Sequence, residues 1–310
     1  TSTRGARKEF PSVAVIVAES TQVTIYDGDD PDMPMWMVFN HNAADGGGVP
    51  DTASSYYTIG PYSINSLYFL NGNLAIGTLR SAGDLGVVKG LTQVNFVSDQ
   101  SKITMPSNGT YKRAGSLSTR NEGKTYYKIN SEVLVNGQAN DVAMTVLPNA
   151  PIDADTGLPV PTIAVATAGG VSVIRDDGTV VDGSDTASYI SIDISKDYRL
   201  ISGRNNQTRF FISAPLDTLT SDGWHQYGFA YSLDSNGYPR ILSGDGTNKI
   251  SRGKDSYVRG GTKALTLWNI KDFETDVAED YQTPSLNCYI TSDYNTGWMN
   301  GDIKLATLSD

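Results

Sequence analysis

The chain has 310 residues and an acidic composition, with a formal net charge of −10 and an isoelectric point of about 4.7. Because nucleic acids and anionic lipids attract basic surfaces, this charge argues against a nucleic-acid partner. The single cysteine, Cys288, excludes an intrachain disulfide and a cysteine-based zinc site, and no window reaches the roughly 20 apolar residues of a membrane-spanning helix, so we expect no membrane insertion and see no signal peptide.

The sequence pattern is that of an all-β protein. Apolar residues alternate with a period of two between short turns, and the chain contains 31 glycines and 17 tyrosines. Glycine permits the positive φ angles of tight turns, and tyrosine suits half-buried strands. One short acidic segment, 273–280, is the best helix candidate, so we expect less than ~10% helix.

The first 181 residues contain three clusters of predicted strands, with two further strands between the second and third clusters. These strands are 13–18, 23–26, 35–39, 66–70, 74–78, 85–88, 93–97, 126–129, 133–135, 142–147, 162–167, 171–174 and 179–181. Four of them lie within 64–97, which is the content of one propeller blade. Residues 101–136 are less regular, and we expect Lys112 and Arg113 in polar turns. A proline-rich excursion at 148–161 interrupts the third cluster.

The C-terminal half contains further predicted strands at wider spacing. They are 189–194, 198–202, 208–212, 227–232, 240–242, 264–269, 286–291 and 303–307. The first cluster of the chain lacks a strand, and we expect 303–307 to supply it. Sharing one sheet between both termini removes strand edges that an open sheet exposes.

A short apolar sequence motif recurs along the chain. It reads LAIGT around Ile76 and IAVAT around Val165, and a looser copy surrounds Val17. Recurrence of one strand-turn-strand unit predicts equivalent buried strands in a repeat architecture, here a β-propeller of about five or six blades. We expect 1–10 to be a leader and 11–310 to be one propeller domain, and we interpret the sequence as a piece of a longer chain.

Two acidic turns have spacings that suit calcium. The first carries Asp27, Asp29, Asp30 and Asp32, four carboxylates in six residues, and is the better metal candidate. The second opens at Asp153 like an EF-hand loop but lacks the closing glutamate. Solvated acidic turns are the simpler interpretation of both. We therefore expect no cofactor, with a structural calcium ion at the first turn as the open alternative.

Aromatic side chains are dense around residues 224–238. Trp224, Tyr227, Tyr231 and Tyr238 lie there among asparagine, aspartate and glutamine. The C–H faces of sugars stack on aromatic rings while their hydroxyls bond to amides, so these four are the candidate ligand-binding residues. The alternative is that they alternate into the core of a sheet.

No catalytic constellation emerges from the sequence. The chain has only two histidines, His41 and His225, and no glycine-rich phosphate loop or paired-carboxylate signature. A turn with Asp293 and Trp298 is similar to the Asp-box of sialidase-like propellers, where the aspartate caps backbone amides and the tryptophan packs inward. We expect the chain not to be an enzyme. A propeller glycosidase or lyase is the less favoured alternative.

Six segments, at both ends and in the middle of the chain, carry a resemblance to one protein module. They are 10–14 (FPSVA), 24–31 (TIYDGDDP), 141–149 (DVAMTVLPN), 157–167 (GLPVPTIAVAT), 170–181 (GVSVIRDDGTVV) and 290–309 (ITSDYNTGWMNGDIKLATLS). Together they resemble a module of large virion proteins of tailed bacteriophages, many of them marine. The segment 184–263 departs from that module.

The resemblance implies a propeller-like module inside a longer tail or fibre protein, often with carbohydrate-binding modules downstream, and it implies no catalytic residues. We therefore expect a structural or adhesive part of a phage tail, located in the virion. Its expected partners are other virion proteins or copies of itself, and a host-surface glycan. A stand-alone glycan- or protein-binding propeller is the alternative. For an adhesive module, 184–263 is the expected contact surface, because loops on a rigid scaffold carry recognition.

Overall fold

The computed structural model describes residues 10–20, 22–40, 63–79, 90–122, 124–204, 210–221, 224–225, 249–252, 256–260, 264–269 and 286–291. Within them the regular secondary structure is antiparallel β-sheet, with one short 3₁₀ turn at Leu117–Thr119. The prediction of an all-β chain is confirmed. The chain divides into two compact units, Thr1–Asp182 and Gly183–Asp310. Across these described stretches, no helix has the length and hydropathy needed to cross a bilayer.

The described residues of the first unit form three antiparallel sheets, each in simple chain order. The first sheet contains β1 (Ala14–Glu19), β2 (Gln22–Asp27) and β3 (Met35–Asn40). The second sheet contains β4 (Ser63–Leu70), β5 (Asn73–Leu79), β6 (Leu91–Asn95), β7 (Gln100–Thr104), β8 (Thr110–Arg113) and β9 (Tyr126–Asn130). The third sheet contains β10 (Ala139–Thr145), β11 (Thr162–Thr167), β12 (Gly170–Ile174) and β13 (Val180–Asp182).

The second sheet is larger than predicted, because β7 and β8 lie where polar turns were expected. Lys112 and Arg113 are consecutive residues of β8, and the prediction of turns for them was wrong. Their strands were missed because polar residues occupy both faces, so the usual apolar alternation is weak. Residues 133–135, predicted as a strand, instead form an irregular link between the second and third sheets.

The repeated sequence motif lies in equivalent strands in two of its three copies. Ile76 in β5 and Val165 in β11 each lie in the second strand of their sheet, and both are fully buried. The prediction for Val17 was wrong: it lies in β1, which pairs only with β2 among the described strands, and is 38% exposed. The looser copy around Val17 matches β1 to β11, the second strand of its sheet, and is therefore displaced by one strand. The buried second strand of the first sheet is β2, centred on Ile25.

Strand β5 is buried on both faces, which explains its continuous apolar sequence. Leu74 and Ile76 pack against the first sheet, and Ala75, between them, packs against the third sheet. Gly77 allows this close approach, because a Cβ atom there would lie 3.1 Å from Cγ2 of Val142. The three sheets of the first unit therefore stack face to face around two apolar layers.

Polar contacts join the second and third sheets at one side. Ser66 Oγ donates to Asp141 Oδ1 at 2.6 Å and accepts from the amide of Val142 at 3.2 Å. Asn65 Nδ2 donates to the carbonyl of Asn140. Because these bonds link the first strand of one sheet to the first strand of the next, they fix the relative position of β4 and β10.

The second unit contains two four-stranded antiparallel sheets among its described residues. One contains β14 (Tyr189–Ile194), β15 (Arg199–Arg204), β16 (Phe210–Pro215) and β17 (Trp224–His225). The other contains β18 (Lys249–Arg252), β19 (Ser256–Gly260), β20 (Ala264–Asn269) and β21 (Leu286–Thr291). Strands β18 and β19 were not predicted. The predicted strands 85–88, 227–232, 240–242 and 303–307, and the ring closure that depends on the last of them, lie outside the described residues.

The link between the second and third sheets is held to β12 and β13 by a small polar cluster. Ser172 Oγ accepts from the amide of Val135 at 2.9 Å and donates to Asp182 Oδ1 at 2.5 Å. Glu132 Oε2 accepts from the amide of Val180 at 2.8 Å. Burial raises the pKa of the Asp182 carboxyl, the bond from Ser172 offsets part of that rise, and the nearby Glu132 carboxylate adds to it.

Two aspartates of the β12–β13 hairpin should make opposite contributions to the pH dependence of stability. Because the pKa of Asp182 is raised above 3.8, its folded state holds the proton more tightly than the unfolded state does, and stability falls as the pH rises through the raised pKa. An Asp182→Asn variant should therefore gain stability relative to wild type with rising pH. Urea unfolding at a series of pH values measures this difference.

Asp177 supplies the matched control with the opposite sign. Hydrogen bonds from the side chain and backbone of Thr179, at 2.7 and 2.9 Å, lower the pKa of the Asp177 carboxyl. Its stabilisation is present above its unfolded pKa and disappears as the pH falls through the lowered value. The deficit of an Asp177→Asn variant should therefore shrink on acidification. Equal slopes for the two variants would contradict this assignment.

Candidate functional site

A cleft of about 210 Å³ opens in the first unit between its second and third sheets. Its floor is the face of β6, β7 and β8, one wall is the loop 148–161, and the other is the turn between β12 and β13. The volume is below the ~300–1,000 Å³ of pockets for drug-sized molecules, so the cleft suits one small ring or a single polar group.

Two cross-strand rows of polar residues form the floor of the cleft. Gln93, Lys102 and Lys112 lie directly opposite one another in β6, β7 and β8. The second row, two residues further along the strands and so on the same face, contains Asn73, Asn95 and Gln100. Residues directly opposite in neighbouring strands present their side chains on the same face of the sheet. The register therefore places six polar side chains side by side.

The row of asparagines is satisfied by its own contacts. Asn95 Nδ2 donates to Asn73 Oδ1 at 3.0 Å, and Asn95 Oδ1 accepts from the amides of Val97 and Ser98, each at 2.9 Å. Asn73 Nδ2 donates to the carbonyl of Asn71 at 3.4 Å. This row closes the turn that follows β6, and its side chains have a structural role.

The other row is not satisfied. Gln93 is 5% exposed, and its Nε2 atom has no hydrogen-bond partner in the described part of the chain. A buried polar group without a partner costs about 1–3 kcal/mol. Lys102 is half-buried and forms no hydrogen bond or ion pair with the described residues. Burial lowers the pKa of its ammonium group, and the nearby Asp153 carboxylate offsets part of that decrease.

Like charges face each other across this row. Lys102 and Lys112 are direct partners in the register of β7 and β8, and like charges at such positions destabilise a sheet. Tyr127 in β9 is the next residue of the row, opposite Lys112, and its side chain is 61% exposed. The row therefore runs from a buried amide through two ammonium groups to an exposed ring.

The walls of the cleft carry carboxylates on ordered loops. In the loop 148–161, Asp153 Oδ1 accepts from the amide of Asp155 at 2.8 Å, and the amide of Gly157 donates to the Asp153 carbonyl at 2.8 Å. Asn71 Nδ2 holds this loop to the second sheet by donating to the Pro159 carbonyl at 3.3 Å. The acidic turn that resembles the start of an EF-hand is therefore a wall of this cleft.

The opposite wall is the turn between β12 and β13, which presents Arg175 and Asp176. The amide of Arg175 donates to the carbonyl of Thr179 at 2.8 Å, and the amide of Gly178 donates to the carbonyl of Arg175 at 3.0 Å. These bonds fix the turn. The cleft thus combines ammonium, guanidinium, amide and carboxylate groups, and the described residues that line it include neither histidine nor cysteine.

Three of the four predicted calcium residues accept hydrogen bonds from backbone amides. Asp29 accepts from the amides of Ser12 and Val13 at 2.8 and 2.9 Å, and Asp27 Oδ1 accepts from the amide of Asp29 at 3.1 Å. Asp30 continues this pattern, because its Oδ1 accepts from the backbone amide of Asp32 at 3.0 Å. Within the described ranges, no three acidic, histidine or cysteine side chains are grouped closely enough to hold a metal ion. The calcium site stays a prediction.

The predicted aromatic ligand site falls almost entirely outside the described residues. Trp224 begins β17, where it lies opposite Ser213 in β16. Tyr227, Tyr231 and Tyr238 lie outside the described residues, as does the Asp-box-like turn with Asp293 and Trp298. A glycan-binding role for these aromatic residues therefore stays a prediction.

Sequence reasoning missed the cleft because its residues are ordinary polar types. The signal was present as alternation: Gln93 and Asn95 in one strand, and Gln100 and Lys102 in the next, recur with a period of two. Polar alternation usually indicates a solvent-facing side of a sheet. Only the packing of the third sheet over this face shows that the same residues line a cleft.

Comparison with known proteins yields only distant structural similarity. No protein-family model matches the chain, and no curated protein matches it in sequence. Apo AztD from Citrobacter koseri is 6% identical with a TM-score of 0.42, over 88% of this chain and 67% of AztD. A protein of unknown function from Bacteroides caccae is 8% identical with a TM-score of 0.41, over 90% and 72% of the two chains. YCF48 bound to D1 peptide is 12% identical with a TM-score of 0.39, over 84% and 79%.

At these TM-scores and identities, the similarities assign the chain neither a family nor a function. The class that its own residues define is an all-β chain of several antiparallel sheets with a polar cleft between two of them.

Proposed function

We propose that this chain is a non-catalytic saccharide-binding module that serves attachment, and that it does so as part of a phage tail or fibre. The observation that carries the proposal is the cleft in which, among the described residues, Gln93 Nε2 has no hydrogen-bond partner and the Lys102 ammonium forms no hydrogen bond, although Asp153 lies near it. A sugar offers hydroxyl groups that both donate and accept, so it complements amides, ammonium groups and carboxylates lining one small cleft.

We further propose that the sheets are blades of a β-propeller with about five or six blades. Three of the sheets formed by the described residues are four-stranded antiparallel meanders in chain order, which is the organisation of a propeller blade. In this proposal 303–307 completes the three-stranded first sheet. A propeller would present its clefts and loops on a rigid frame, as attachment requires.

The phage setting rests on the resemblance of six segments at both ends and in the middle of the chain. Other virion proteins or further copies of the chain are then its partners in assembly, and a host-surface glycan is its ligand. An assembly role without a ligand leaves the unpartnered groups of the cleft unexplained, and we therefore favour adhesion.

The proposal is tested with purified full-length chain and the surface polysaccharide of candidate bacterial hosts, together with a glycan array. We expect saturable binding to a restricted set of saccharides and no release of reducing ends on long incubation. Depolymerisation of a bound polysaccharide would show an enzyme. Failure to bind any saccharide or any host cell would overturn the attachment function.

A further inference from the structure

We propose that the cleft recognises a carboxylate-bearing sugar, a hexuronate in an acidic polysaccharide, and that Lys102 and Lys112 bind its carboxylate. This inference rests on the proposed saccharide-binding function and adds the chemical class of the ligand. It follows from the row of Gln93, Lys102, Lys112 and Tyr127 across β6 to β9.

The first step is the pair of facing lysines. Their Cβ atoms are direct cross-strand neighbours, a spacing of about 4.5–5.5 Å, and neither ammonium group forms an ion pair in the described ranges. An anion bound between them would convert a repulsive pair into two charge-assisted hydrogen bonds. The destabilising arrangement in the free chain thus becomes favourable when a negative group is bound.

The second step is the uniform polarity of the row. The unpartnered Nε2 atom of Gln93 is a donor, and both lysine side chains carry only donors. A group made only of acceptors complements three adjacent donors, and a carboxylate supplies two oxygens with about four acceptor positions. A neutral hydroxyl would satisfy one of these donors and leave the facing charges in place.

The third step distinguishes a carboxylate from a more highly charged anion. Asp153, Asp155 and Asp176 also line the cleft. They would repel a dianionic phosphate at close range, whereas they accept hydrogen bonds readily from hydroxyl groups. A hexuronate combines one negative charge with several hydroxyls. The exposed ring of Tyr127, beside Lys112, offers a surface on which a sugar ring can stack.

The test uses the full chain, trigalacturonate, and the same trisaccharide with its carboxyls reduced to alcohols, in isothermal titration calorimetry. We expect wild type to bind trigalacturonate about tenfold or more tightly than the reduced form, and added NaCl to weaken only the former. Lys102→Gln and Lys112→Gln should each remove most of this preference. Lys128→Gln, on exposed Lys128 of β9 whose register partner is Tyr111, is the matched control and should leave it unchanged.

The possible results separate the carboxylate inference from the attachment function on which it rests. If saccharides bind but the reduced form binds as tightly, or both lysine variants bind like wild type, the carboxylate inference is wrong and the attachment function stands. If a trisaccharide that carries sulfate groups and no carboxyl groups competes equally well, the carboxylate is not what the cleft recognises and the ligand class is wrong. If no saccharide binds at all, both the carboxylate inference and the attachment function are wrong. Lys112 is exposed, so its variant keeps the test valid even if Lys102→Gln impairs folding.

Discussion

An Arg113→Ala substitution is expected to lower the free energy of unfolding by about 3–5 kcal/mol. Arg113 is 1% exposed, and its guanidinium donates to carbonyl oxygens of Ser116 at 3.4 Å and Glu122 at 2.8 Å, and to Thr119. Alanine removes the donors of these partly buried acceptors, at up to about 1–3 kcal/mol for each one that water cannot reach, and leaves a cavity. Burial lowers the pKa of this guanidinium, yet arginine stays protonated at neutral pH.

The loss should extend beyond the loop that Arg113 holds. That loop, 114–122, carries Leu117 into the core between the first and second sheets, and its Arg120 and Asn121 side chains both donate to the carbonyl of Val38 in β3. Arg113 therefore maintains the contact between two sheets through a loop.

Urea unfolding followed by far-UV circular dichroism measures the effect. Lys112→Gln, one residue away in β8 and exposed, is the control; it removes the repulsion with Lys102 and should leave stability unchanged or raise it by up to about 1 kcal/mol. Arg113→Lys should recover little, because one ammonium group cannot reach acceptors spread over the whole loop. Similar stabilities for Arg113→Ala and Lys112→Gln would show that the loop bonds contribute nothing.

The sequence predicted strands well where apolar residues occupy at least one face. The structure has β11, β14, β20 and β21 at the predicted bounds, and each carries apolar residues at alternating or consecutive positions. It also has β7 and β8, where polar turns were predicted. These two strands were missed because they carry polar residues, some of which face the cleft, and so lack a clear apolar alternation. Arg113 illustrates the limit: a lone arginine beside a lysine gives no sign that one is fully buried and the other exposed.

The cleft could not be predicted from the sequence because it depends on register. Lys102 and Lys112 are ten positions apart along the chain, and only the pairing of β7 with β8 makes them neighbours. Asp153 enters from a loop of a different sheet. Conversely, the acidic turn at Asp27 and Asp29 was an evident pattern, and in the folded chain both carboxylates accept backbone amides. Residue type indicates chemistry, but topology decides which residues meet.

A Phe39→Ala substitution is expected to cost about 3–5 kcal/mol, the usual range for removing a buried phenylalanine. Phe39 is fully buried between the first and second sheets. Its ring lies 6.1 Å from the ring of Phe96 in an edge-on arrangement, and the Arg120 guanidinium lies 5.6 Å from its centroid. The lost contacts therefore include apolar burial, an aromatic pair and a cation–π contact.

Phe69 provides a control of the same residue type in the same aromatic group. It stacks on Phe10 at 4.9 Å and lies 6.2 Å from Phe96, but its side chain is 37% exposed. Phe69→Ala removes less buried area and leaves a site open to water, so we expect a loss of about 1 kcal/mol. Thermal and urea unfolding of both variants give the comparison. Equal costs for the two substitutions would show that the burial of Phe39 does not stabilise the packing of the first sheet on the second. The apolar core described between these two sheets would then be wrong.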